Sequence, residues 1–136
     1  MQWAWCCSIS IGEIMSLSYD ELLSNIKRQA KRFSKSLKIP LRQAQAHLAI
    51  SVYQCDSWVH LRDSLKSDSY DNELLLLASL QPNSDIFLYK LLNTHMKMIV
   101  CKLQDELVKE AKNEETENII INIFGIEPSD FKRKIR

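Results

Sequence analysis

The 136-residue chain is 46% hydrophobic and 26% charged, a globular composition with length for one ordinary domain or two small helical subdomains sharing a core. Two glycines and three prolines are too few for the closely spaced turns of a sheet-rich fold, so an all-α architecture is expected. The net charge of +1 hides a split: residues 20–66 carry nine Lys or Arg against four Asp or Glu, and residues 67–136 carry nine against twelve, so a polyanion partner is sought in the first half.

The apolar start, MQWAWCCSISIGEI, lacks the positive n-region of a signal peptide and is too short to span a bilayer. Residues 1–15 read as an extension of the folded body, disordered or packed on it as an arm, and no membrane partner is expected. A helix start follows. Ser18 with Glu21 has the spacing of a capping box, and Leu17 with Leu22 that of a hydrophobic staple. From Tyr19 to Leu37 the apolar positions Leu22, Leu23, Ile26, Ala30, Phe33 and Leu37 recur at helical spacing and leave Lys27, Arg28, Lys31, Lys35 and Lys38 on other faces. Pro40 ends this helix by restricting Ile39. A second helix is expected from about Leu41 to Tyr53 with Leu41, Ala44, Leu48, Ala49 and Val52 inward. A third follows a cap at Asp56 or Ser57, with Trp58, Leu61 and Leu65 inward. These make a basic three-helix module over residues 16–66.

The polar SDSYDN at 67–72 is the expected linker to a second helical unit over residues 72–136. ELLLLASL reads as a short buried helix stopped before Pro82. Beyond it, Leu88, Leu92, Met96, Ile99, Leu103 and Leu107 follow one another three or four residues apart in one long amphipathic helix running toward Lys112. Its seam is either covered by the rest of the chain or shared with a second copy, and a homodimer through these six residues is the expectation. TENIIINIFG suits a helix with Gly125 beyond its end, although four isoleucines also suit a strand; the helix is preferred for want of a strand partner. EPSDFKRKIR, with Pro128 in the first turn and a basic end, suits a short last helix.

Little in the chain points to catalysis. The four cysteines have neither metal nor disulfide-framework spacing, which is the pattern of reduced thiols in a cytoplasmic protein. His47, His60 and His95 lie in no metal-ligand motif, and there is no glycine-rich phosphate loop or nucleophile elbow. No enzyme activity, metal or cofactor is therefore expected.

The stretch from Gln43 to Leu65 makes a more specific demand. Counted from Gln45 as the first position of a helix-turn-helix unit, Leu48 and Ala49 fall at positions four and five, Val52 at eight, Val59 at fifteen and Arg62 at eighteen. Position nine, where glycine would allow a left-handed turn, is Tyr53, so the turn must differ or be longer. Gln43, Ala44, Leu48, Ala49, Trp58 and Leu61 also form a pattern, Q-A-x-x-x-L-A followed by W-x-x-L. It resembles a short helical module of bacterial plasmid and mobile-element proteins, present too at the start of some proteins labelled as glyoxalase-superfamily members. That resemblance implies fold and genomic setting rather than activity, because the residues that carry it are core residues. Three readings stay open for the module: helix packing alone, contact with duplex DNA, and contact with a protein partner in an antitoxin-like accessory role. The DNA reading, a small non-enzymatic regulatory protein, takes Lys27, Arg28, Lys31, Lys35, Arg42, His60 and Arg62 as contacts, with Arg62 as the base reader.

Overall fold

A computed structural model describes residues 18–67, 72–106 and 112–135, and among these the chain is all-helical. The expected extension, the staple residue Leu17, most of the linker and Leu107 lie outside the described residues. Helix α1 (Tyr19–Leu37) begins at the capping box read from the sequence: Ser18 Oγ accepts from the Glu21 backbone N–H at 3.2 Å, and the Glu21 carboxylate accepts from the Ser18 N–H at 3.0 Å. It ends with Lys38 in the left-handed region, two residues before Pro40.

Helix α2 (Leu41–His47) passes without a break into a π turn (Leu48–Val52). Here Tyr53 N–H reaches back five residues to the Leu48 carbonyl, and Cys55 N–H reaches the Ala49 carbonyl at 2.8 Å. A Schellman closure spans one residue fewer, so the π turn has absorbed an extra residue. The left-handed position moves with it. Tyr53 stays right-handed at φ −91°, and Gln54 takes φ 57°. Helix α3 (Trp58–Lys66) starts from Ser57, whose hydroxyl accepts from His60 N–H at 3.1 Å.

After the linker, a 3₁₀ helix (Glu73–Ser79) is buried throughout from Leu74 to Ser79 and packs against α1. Helix α4 (Ile86–Glu106) is the longest element, about 31 Å at 1.5 Å per residue. It stops short of Lys112, which is extended and opens α5 (Asn113–Ile123). Gly125, at φ +78°, closes α5 as the sequence implied, and Pro128 begins α6 (Pro128–Ile135). The tail is thus helical and not a strand.

One hydrophobic core joins both units. Leu22, Ile26, Phe33, Leu48, Val52 and Leu61 from the first half are buried in the same cluster as Leu77, Leu92, Ile99, Ile120, Phe124 and Phe131 from the second. The seam of α4 is part of it: Leu88, Leu92, Met96, Ile99 and Leu103 are buried by the 3₁₀ helix, the π turn, α5 and α6 of the same chain. Those five side chains are thus covered within the one chain, along the seam that a second copy was expected to share. Leu41, expected inward, is exposed, because α2 turns Ala44, Leu48 and Ala49 to the core instead.

Candidate nucleic-acid interface

On α1, successive residues advance by about 100°, so Lys27, Lys31, Lys35 and Arg28 fall within an arc of about 100° on the side away from the buried stripe of Leu22, Ile26, Ala30 and Phe33. All four cations are exposed. Lys27, Lys31 and Lys35 stand one turn apart and span about 12 Å of axis, the rise of roughly three phosphates along one strand of a duplex. None of the four pairs with a carboxylate among the described residues. Asp20 and Glu21 are held at the other end of the helix, where they complement its positive terminus.

The other expected contacts are placed differently. Arg42 is exposed in the first turn of α2. His60 is exposed on α3, but its Nδ1 accepts from the Asp56 N–H at 2.9 Å and lies 3.8 Å from the Asp56 carboxylate. Arg62 on α3 is half-buried, and its Nε is enclosed without a hydrogen-bond partner. Arg62 was expected on the exposed side of the helix and is only partly exposed there. Val59, which a helix-turn-helix unit would bury at position fifteen, is 52% exposed. With the displaced left-handed turn at Gln54, it separates the α2–α3 pair from that motif's packing, although Leu48, Ala49 and Val52 are buried as the motif requires.

A fifth cation belongs to the same helix and was not singled out from the sequence. Arg32, one turn after Arg28, is half-buried; its Nη1 donates to the Ile123 carbonyl at 3.0 Å, at the carbonyl-rich end of α5. A Cβ on residue 125 would stand 3.0 Å from its guanidinium, tighter than ordinary contact, so Gly125 makes room for it. Burial, and secondarily the charge of Arg28, draw its pKa below the usual value. Arg28 in turn donates to Ser24 Oγ at 2.9 Å and to the side-chain Oδ1 of Asn25, while Nδ2 of Asn25, a residue 5% exposed, donates to the Ala78 carbonyl at 3.0 Å.

The histidines are dispersed. His95 Nε2 lies 2.8 Å from Glu73, His47 lies 3.8 Å from Glu106, and His60 faces Asp56. Among the described residues no three His, Cys, Asp or Glu side chains are grouped as for a metal ion, and no helix is long and apolar enough to cross a membrane. No protein family, curated protein or solved structure matches the chain.

Proposed function

We propose that the protein binds duplex DNA through its phosphate backbone, with α1 as the contact element and Lys27, Arg28, Lys31 and Lys35 as the contacts. The observation that carries this reading is the row of four exposed cations on one side of a capped helix, none of them paired with a carboxylate among the described residues. Lysine suits the task, because its flexible, hydrated ammonium meets a phosphate as a point charge and reads no base. Arg42 extends the row at the start of α2. The resemblance of the Gln43–Leu61 pattern to a module of plasmid and mobile-element proteins supports a DNA-handling setting.

Helix α3 contributes less in this reading than a recognition helix would. Its exposed residues Val59, His60, Asp63 and Lys66 set one carboxylate against one lysine, and Arg62 is half-buried with its Nε enclosed. Binding is accordingly of the sequence-independent kind. Titration of the purified protein into mixed-sequence duplex at low salt tests it. The expected result is an affinity that falls steeply with added salt and is lost when Lys27, Lys31 and Lys35 are all replaced by Ala. Affinity weaker than about 10⁻⁴ M, the loose end of non-specific binding, or no effect of the triple replacement, would overturn it.

A further inference from the structure

Beside the exposed row, α1 turns a second polar face toward a cleft bounded by the Leu80–Pro82 connection and by Phe124 beyond α5. The cleft has a volume of about 50 Å³ and is lined by Asn25, Arg28, Gln29, Arg32 and Gln81, with Leu80, Pro82 and Phe124 as apolar walls. At about 10–15 Å³ per water, it has room for roughly four water-sized groups. Among the described residues it is lined by two arginines and by no carboxylate. Neither arginine makes an ion pair among the described residues.

We propose that this cleft is an oxyanion site that takes a phosphate group between Arg28 and Arg32. Two like charges one helical turn apart in partly dry surroundings repel each other, and an anion between them removes that cost. Each guanidinium is also held in place by neutral groups that leave donors over. Arg32 is anchored by one Nη1 hydrogen bond to the Ile123 carbonyl, out of five N–H donors. Arg28 is anchored through Asn25, which is itself pinned to the Ala78 carbonyl of the 3₁₀ helix. Gln29 accepts from the Tyr53 hydroxyl through Oε1, so its NH₂ is the end left to donate, and Gln29 lines the cleft. The result is a set of donors with fixed positions, facing a space of phosphate size. An arginine fork suits the several oxygens of a phosphate better than an ammonium does.

The site goes beyond the DNA reading and does not need it. Two sources supply such a phosphate, a free phosphate ester or the terminal phosphate of a nucleic-acid strand. Calorimetric titration of the full chain with inorganic phosphate, at constant ionic strength made up with chloride, is the first arm. Saturable one-to-one binding is expected, weakened about tenfold or more in Arg28→Gln and in Arg32→Gln, as the loss of a charge-assisted contact implies. The second arm compares one oligonucleotide bearing a 5′-phosphate with the same strand bearing a 5′-hydroxyl. Tighter binding of the phosphorylated strand, abolished by Arg32→Gln, assigns the site to strand ends. Equal binding of the two strands, with inorganic phosphate still bound, assigns it to free phosphate. Absence of saturable phosphate binding overturns the proposal, and so does binding unchanged in both variants. Should Arg32→Gln fail to fold because the Ile123 carbonyl loses its partner, Arg28→Gln, on the exposed rim, decides alone. The Lys27, Lys31 and Lys35 triple replacement separates the two functions: it loses duplex binding and keeps phosphate binding.

Discussion

The Tyr53 hydroxyl donates to Oε1 of Gln29 at 2.6 Å, and both side chains are buried. This one bond ties the end of the π turn to the middle of α1, because the extra residue of that turn keeps Tyr53 in right-handed backbone with its ring in the core. The same residue's carbonyl accepts from Asn72 at 2.7 Å, so the entry to the 3₁₀ helix is fastened to the same point. Removing the hydroxyl in Tyr53→Phe leaves a buried amide oxygen without its donor. A loss of about 1–3 kcal/mol in urea unfolding is expected at neutral pH.

The pH dependence of that loss has a definite sign. Burial pushes the Tyr53 phenol well above its ordinary 10.0, against the smaller opposing effect of the Gln29 hydrogen bond. The folded protein keeps the proton while the unfolded chain gives it up near pH 10. Tyr53 therefore contributes stability that is fully present below pH 10 and is lost as pH rises beyond it. Above that point the gap between wild type and Tyr53→Phe narrows by about 1.4 kcal/mol per pH unit. Cys55 and Tyr89, whose pKa values burial also raises, are common to both proteins and cancel in the difference. A gap constant from pH 8 to 11 would show that Tyr53 titrates normally.

Ile99 tests where the α4 seam is satisfied. It is fully buried within one chain, so Ile99→Ala is expected to cost about 2–5 kcal/mol, and Ile99→Glu to unfold the protein. Neither effect should depend on protein concentration. A stability that rises with concentration in wild type and not in Ile99→Ala, followed by light scattering, would restore the shared seam.

Signals that act over a few residues were legible in the sequence. Ser18 and Glu21 announced the start of α1, Pro40 its limit, Gly125 the end of α5 and Pro128 the start of α6, because each works through its own backbone. What depended on distant partners was not. The spacing of Leu88 to Leu103 shows an apolar stripe but not what covers it. Arg62 has the same spacing whether its side chain is exposed or half-buried. The cleft joins Asn25 to Ala78 across 53 residues and Arg32 to Ile123 across 91. One clue did stand in the sequence: Asn25 and Gln29 interrupt the polar-to-apolar boundary of α1 with two amides one turn apart, where a helix flank resting on plain core would carry apolar residues.

Gly125 links the two halves through the same arginine. At φ +78° any other residue is strained, and a Cβ there would meet the Arg32 guanidinium at 3.0–3.2 Å. Gly125→Ala should lower stability by about 1–2 kcal/mol from the backbone alone. It should also displace Arg32 from the Ile123 carbonyl. In Arg32→Ala the steric part vanishes and the backbone part remains, so the cost of Gly125→Ala is expected to be smaller in that background; an equal cost in both would show that the guanidinium does not crowd the glycine.

The contact row on α1 and the half-buried Arg62 on α3 make opposite demands on duplex binding. If phosphates dominate, each lost contact reduces the slope of log affinity against log salt by about 0.9 and lowers affinity for every sequence alike. Lys31, central in the row and exposed, should show this when replaced by Ala. Arg62 should not, because it is half-buried with its Nε enclosed. Replacement of Arg62 by Ala is expected to leave the salt slope unchanged and to alter affinity less than replacement of Lys31. Salt titrations of the two variants on several unrelated duplexes measure both quantities. A Lys31→Ala protein with the wild-type slope, beside an Arg62→Ala protein that binds one sequence less well than the others, would move the interface from α1 to α3 and restore Arg62 as a base reader.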